Sequence, residues 1–235
     1  MYQIDLFLGS DIGLWVLEQI SPSSVGQIFT LDESIAIAAR NFGKEVWLEN
    51  ANSVEFSPSQ YGFSIHYPRI LKPNLIAKYR KIYNLHPGLL PWGRGYYPVF
   101  WALWENTPAG ATLHEITAGI DEGPIVDQVQ VEYYCFDTGA SLLQRVREAE
   151  KEIFLKYWFQ ISMGKEPPSY PQAVGGTYHT KKEFLDLKRR SEWESMNGKD
   201  LVRLIRSLTF PGYTGLEVTL GQKKFHVYLE ELNKN

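Results

Sequence analysis

The chain has 235 residues and a formal net charge of -3, with 44% hydrophobic and 22% charged residues. That balance is ordinary for a globular protein in water. It excludes broad binding to nucleic acid, which needs a large basic face. A single cysteine, Cys135, excludes an internal disulfide and a cysteine zinc cluster and fits a reducing cytoplasm.

In chain order, Ile4 to Gly9 reads as an apolar strand that turns at Gly9-Ser10-Asp11 into a helix carrying Ile12, Trp15, Val16 and Ile20. Asp11 is expected to cap that helix, which argues against a phosphate loop there. The first residues lack the basic region and long apolar run of a leader, so they read as the entry to a first strand. Further strands are expected at 25–31, 46–48, 63–66 and 82–85. Helices are expected at 33–41 and, opened by Pro73, at 74–79. Strands alternating with helices indicate an α/β protein with a mostly parallel, Rossmann-like sheet.

In the second half, a helix rich in Trp and Phe is expected at 99–105, strands at 111–116 and 124–133, and a long helix at 141–163. No stretch approaches the ~20 apolar residues that span a bilayer. Pro, Gly and Ser crowd residues 164–176, marking the edge of a main domain at 1–165. The extension, 166–235, holds a charged run at 181–194 read as a solvated helix and a second helix at 199–207. After the loop Phe210-Pro-Gly-Tyr213 comes a hairpin pairing 216–220 with 225–229 across Gly221-Gln-Lys-Lys224.

Asn84-Leu-His86-Pro-Gly-Leu-Leu-Pro91 carries the chemistry. Asn84 and His86 are two apart on a strand, so their side chains share a face, and Pro87 opens the strand end into a loop. An amide can donate to an oxyanion and an imidazole can move protons near neutral pH. The alternative has Asn84 capping a turn and His86 as a loop residue. Asp121, between Gly119 and Gly123, either orients the histidine or caps its own turn. His114 and His179 could line the site, but a structural role is the preferred reading for each.

These segments together resemble the folate-dependent formyltransferases, through Asn84-Leu-His86, Leu89-Leu-Pro91 and Gly119-Ile-Asp121-Glu-Gly123. The resemblance implies a formyltransferase core, with Asn84, His86 and Asp121 as the catalytic trio. It implies N10-formyltetrahydrofolate as formyl donor, no metal, and a pterin seated on Arg69-Ile70-Leu71 and Thr117-Ala118-Gly119. Gly93-Arg94-Gly95-Tyr-Tyr-Pro98, Gly175-Gly-Thr-Tyr178-His179 and Arg203-Leu-Ile-Arg206 with Phe210-Pro-Gly-Tyr213 are similar to segments of sugar N-formyltransferases. They imply a dTDP-linked amino-dideoxy sugar as acceptor, contacted by Trp92, Arg94, Tyr97, Phe210 and Tyr213. A cytoplasmic homodimer serving surface polysaccharide synthesis is the expectation, with no nucleic-acid or membrane partner. Glycinamide ribonucleotide as acceptor, or a folate-binding protein without turnover, are the alternatives.

Overall fold

The computed structural model describes residues 2–189, 191–210 and 215–232. The chain opens with strand β1 (Ile4–Leu8), helix α1 (Ser10–Gln19), β2 (Val25–Thr30), α2 (Glu33–Asn41), β3 (Val46–Trp47) and β4 (Tyr61–Ile65). A single turn, α3 (Pro73–Ile76), leads into β5 (Lys81–His86); a two-residue strand β6 (Arg94–Gly95) and α4 (Pro98–Glu105) follow. Next come β7 (Ala109–Glu115), β8 (Ile125–Val131) and the long α5 (Gly139–Ser162). The extension contains β9 (Tyr178–His179), α6 (Lys181–Lys188), α7 (Gly198–Leu208), β10 (Leu216–Leu220) and β11 (Lys223–Val227).

Seven strands form the main sheet in the order β3-β2-β1-β4-β5-β7-β8. The first five are parallel, whereas β7 runs antiparallel to β5 and β8 antiparallel to β7. The α/β, mostly parallel architecture expected from the sequence is therefore present. Every residue of β1 and of β4 is buried, as befits parallel strands covered on both faces. Ile4, Leu6 and Leu8 meet α1, α2 and α5 on one face, through residues such as Val16, Ile35 and Phe154. Phe7 faces the other way, into a cluster with Phe29, Leu71, Leu75 and Tyr79.

Helix ends follow local chemistry. Asp32 caps α2 by accepting the backbone N–H groups of Ser34 and Ile35, and Thr138 with Ser141 forms a capping box at α5. Asp11 does not cap α1, whose N-cap is Gly9; its carboxylate pairs with Arg147 instead, at 2.9 Å. The expected helix over 74–79 is only one turn. By Arg80 the backbone already pairs with Gln60, and the Tyr79 hydroxyl turns inward to the buried Asp5 carboxylate at 2.9 Å.

Two differences concern the extension. The hairpin turns on two residues, not four, because Gly221 at φ +61° allows a tight reversal and sets Leu220 opposite Lys223. The charged run at 181–194 is not simply solvated. Phe184 of α6 is 2% exposed and stacks on Tyr97 at 4.0 Å. With Leu204, Leu208 and Leu216 it closes a core against Phe100 and Trp101 of α4. The extension thus shares its core with a helix that follows the Asn84–Pro91 segment. Phe184→Ala should destabilise the protein by about 3 kcal/mol, read as a lower urea midpoint; an unchanged midpoint would contradict this packing.

Candidate active site

Strand β5 lies between β4 and β7 where the sheet changes from parallel to antiparallel. Its last residues line a cavity of about 690 Å³ at the C-terminal ends of β1, β4 and β5. The register sets Asn84 opposite His114 and His86 opposite Thr112. Asn84 and His114 therefore meet across the ladder, Nδ2 to Nε2 at 3.0 Å. Thr112 pins the chain after β5, donating to Gly88 O at 2.6 Å and accepting from Leu90 N at 3.1 Å.

Asp121 reaches this point because the loop after β7 doubles back. Gly123 permits the return, since a Cβ there would sit 1.7 Å from the Glu115 carbonyl oxygen. Asp121 itself adopts φ +53°. Its Oδ2 accepts the Gly95 N–H at 2.9 Å and lies 3.7 Å from His86 Nδ1; its Oδ1 lies 3.5 Å from His114 Nε2. Asn84, His86 and Asp121, two of them far from the third in sequence, thus surround one point, with His114 between the amide and the carboxylate.

Hydrogen bonds assign the protons. His86 Nε2 lies 3.0 Å from the Gly93 carbonyl, which can only accept, so Nε2 carries hydrogen and Nδ1 is the basic nitrogen of the neutral ring. Likewise His114 Nδ1 donates to the Glu115 carbonyl at 2.9 Å, leaving Nε2 to accept from Asn84. One hydrogen of the Asn84 amide is then committed and the other is available. Burial pushes the His86 pKa down, and this outweighs the opposing pull of Asp121, so the ring is neutral at pH 7. Burial pushes the Asp121 carboxyl up, but the His86 and His114 rings in their protonated forms, with the Gly95 N–H, hold it well below the usual carboxylate range. The site therefore holds a neutral base beside a fixed anion.

A second buried cluster borders the cavity at His66 and Ser10. The His66 Nε2 meets Glu150 Oε1 at 2.5 Å, Arg147 meets Glu150 Oε2 at 2.9 Å, and Ser10 Oγ meets His66 Nδ1 at 3.0 Å. Burial raises the Glu150 pKa, but His66 and Arg147 more than offset this and keep the carboxylate charged.

The cavity is lined by Asn84, His86 and Asp121, by Arg69, Ile70 and Leu71, and by Thr117, Ala118 and Gly119. Of the expected sugar contacts, Tyr97 lines it, whereas Trp92, Arg94 and Phe210 lie outside its lining. The Arg94 guanidinium instead links Pro91 O at 3.3 Å, Gly175 O at 2.5 Å and Glu122 at 3.4 Å. Phe210 packs against α4 and α5, its ring filling the space that a Cβ on Gly139 would need. Tyr213 lies outside the described residues. His179 stacks on Trp101 at 3.6 Å and is not part of the lining. Among the described residues, no group of three or more His, Cys, Asp or Glu is arranged to hold a metal ion, and no helix is long and apolar enough to cross a membrane.

Sequence reading preferred a structural role for His114 and assigned no individual site role to Asn52, Glu150, Tyr178 or Lys181. Asn52 braces the 69–72 loop by bonding Ile70 O at 2.9 Å and Lys72 N at 2.8 Å. Glu150 had a signal, as a charge on the apolar face of α5 between Val146 and Ile153.

Residues 48–157, which include all three site residues, match the formyl transferase family model. Over that stretch the chain is similar to formyl transferases. It is 30% identical over 126 residues to the dTDP-4-amino-4,6-dideoxyglucose formyltransferase of Mycobacterium tuberculosis; the match covers 54% of this chain and 53% of that protein. The chain thus spans about half the length of the curated relatives it matches. The fold of the chain is shared with a 4-N formyltransferase from Francisella tularensis, at TM-score 0.86 and 22% identity over 99% of each chain. It is also shared with an N-formyltransferase from Helicobacter canadensis, solved with folinic acid and dTDP-3-aminofucose, at TM-score 0.76 and 20% identity over 95% of this chain and 86% of that one.

The electrostatics of the site predict that Asp121→Asn lowers the His86 pKa further, because the anion that favours the imidazolium is removed. An NMR titration of the His86 ring should show its midpoint moved to lower pH; an unchanged or raised midpoint would contradict the pairing.

Proposed function

We propose that this protein transfers a formyl group from N10-formyltetrahydrofolate to the amine of a dTDP-linked amino-dideoxy sugar, a 3- or 4-amino-dideoxyhexose. The observation that carries this reading is the buried His86, its Nε2 bonded to the Gly93 carbonyl and its Nδ1 facing the Asp121 carboxylate at 3.7 Å, beside Asn84 in one cavity. Acyl transfer to an amine asks for a base, an anion to steady that base once charged, and a donor for the carbonyl oxygen. The activities and ligands named for the M. tuberculosis and H. canadensis proteins point the same way.

The cavity suits the folate. The 69–71 and 117–119 segments form two of its borders, where backbone groups can meet a pterin, and Ile70, Leu71 and Ile116 offer apolar surface to a fused ring. N10-formyltetrahydrofolate supplies the activated formyl carbon. The free hydrogen of the Asn84 amide meets the carbonyl oxygen as charge develops there, a contact worth ~3 kcal/mol. His86 Nδ1 takes the proton that the attacking amine loses, and Asp121 stabilises the resulting imidazolium. His86 then holds that proton for delivery to the departing nitrogen, so the histidine ends the cycle neutral.

Tyr96, Tyr97, Tyr178 and Lys181 also line the cavity. Their ring faces, hydroxyls and ammonium group match the needs of a nucleoside diphosphate sugar. We place the reaction in the cytoplasm, as a step that prepares sugars for surface polysaccharide. A panel of nucleotide amino sugars incubated with the formyl donor should give a mass gain of one formyl group on a dTDP-linked member. Asn84→Ala and His86→Ala should each lower that turnover by roughly 10²-fold or more, with folate affinity little changed. Gain on glycinamide ribonucleotide alone, or on no amine, would refute the reading.

We also propose a homodimer that covers Leu220, Phe225, Tyr228 and Leu229, large apolar side chains exposed on and after the β10–β11 hairpin. Light scattering should give twice the mass of one 27.0 kDa chain; a monomer mass would rule the dimer out.

A further inference from the structure

The two backbone groups that fix His86 and Asp121 belong to one short loop, 91–97. Its Gly93 carbonyl accepts the His86 Nε2–H at 3.0 Å, and its Gly95 N–H donates to Asp121 at 2.9 Å. This loop is held from outside the main sheet, by residues 175–179 of the extension. Thr177 makes three of those bonds: its Oγ1 accepts the Gly93 N–H at 2.8 Å, its carbonyl accepts Arg94 N–H at 3.0 Å, and its N–H donates to Pro91 O at 3.2 Å.

The two backbones approach more closely than side chains permit. A Cβ on Gly176 would lie 2.0 Å from Pro91 O, and one on Gly95 would lie 2.3 Å from His179 O. Both glycines have positive φ, at +89° and +87°. His179 anchors the far end of the strap, stacked on Trp101 and bonded through Nε2 to Glu105 at 3.1 Å.

We propose that Thr177 is a positioning residue for His86: by holding the Gly93 N–H through its hydroxyl oxygen, it fixes the turn at Gly93, aims the Gly93 carbonyl at Nε2 and so keeps the basic Nδ1 turned toward Asp121. The link is direct. The Gly93 N–H that Thr177 holds and the Gly93 carbonyl that bonds His86 lie on adjacent peptides joined at one Cα. Without the hydroxyl, the Gly93 N–H loses its partner and the turn at Gly93, with φ +69°, is freer to rotate about that Cα. The imidazole then loses the acceptor that favours its protonated ring and fixes its tautomer.

The role of Thr177 in catalysis rests on the formyl-transfer reading above, but its effect on the His86 ring does not, and the test uses both. Thr177→Val should lower kcat roughly tenfold or more with the folate dissociation constant unchanged. It should also move the His86 titration, followed by NMR without substrate, to lower pH. Thr177→Ser keeps the oxygen and should restore both. If Val unfolds the chain, Thr177→Ala carries the same test. A Val or Ala variant that folds with wild-type kcat and an unmoved His86 titration overturns the proposal, as does failure of Ser to restore them. If the wild type transfers no formyl group but the titration still moves in Thr177→Val, the strap stands and the formyl-transfer reading falls.

Discussion

The bond from His86 Nε2–H to the Gly93 carbonyl, at 3.0 Å, is the constraint on which the site depends. A carbonyl offers no hydrogen, so this single contact decides which ring nitrogen is basic. It also decides where that nitrogen points, because the opposite side of the ring faces Asp121. His86 is only 5% exposed. Its protonation is governed by the few groups that touch it, and burial outweighs the nearby carboxylate. The result is a base ready at neutral pH, with an anion already in place for the moment it is charged.

Four parts of the fold converge around that ring. β5 supplies His86 and Asn84 on one face, and antiparallel β7 supplies His114 opposite Asn84. The loop between β7 and β8 returns Asp121 to the cavity. The loop after β5 supplies Gly93 and Gly95, and the extension braces it through β6 and β9, which pair Arg94 with Tyr178 and Gly95 with His179. The extension is itself seated on α4 through Phe184 and the stacked His179. A segment late in the chain is thereby mechanically continuous with the histidine, through backbone bonds and not through a side chain in the cavity.

What the sequence made legible follows from locality. The two-residue spacing of Asn84 and His86 reports a shared strand face directly, and glycines on either side of Asp121 report a tight return. The alternation of strands and helices gave the parallel part of the sheet. What it hid depends on long-range register. Nothing in the spacing sets His114 opposite Asn84, because thirty residues and a change of strand direction intervene. The Thr177–Gly93 contact joins positions 84 apart. Phe184 was masked by the charges around it, although three apolar residues in α6, Phe184, Leu185 and Leu187, were the signal of a helix with one face in a core. Arg94 looked free to contact the nucleotide-linked sugar because its two carbonyl partners, Pro91 and Gly175, are brought together only by the strap.

The most direct test is the tautomer of His86 in the unliganded protein, read from the nitrogen-15 shifts and two-bond couplings of its ring by NMR at pH 7.5. The account predicts a neutral imidazole with hydrogen on Nε2 and a bare Nδ1. A ring with hydrogen on Nδ1 and a bare Nε2, or one still fully protonated at that pH, would contradict it.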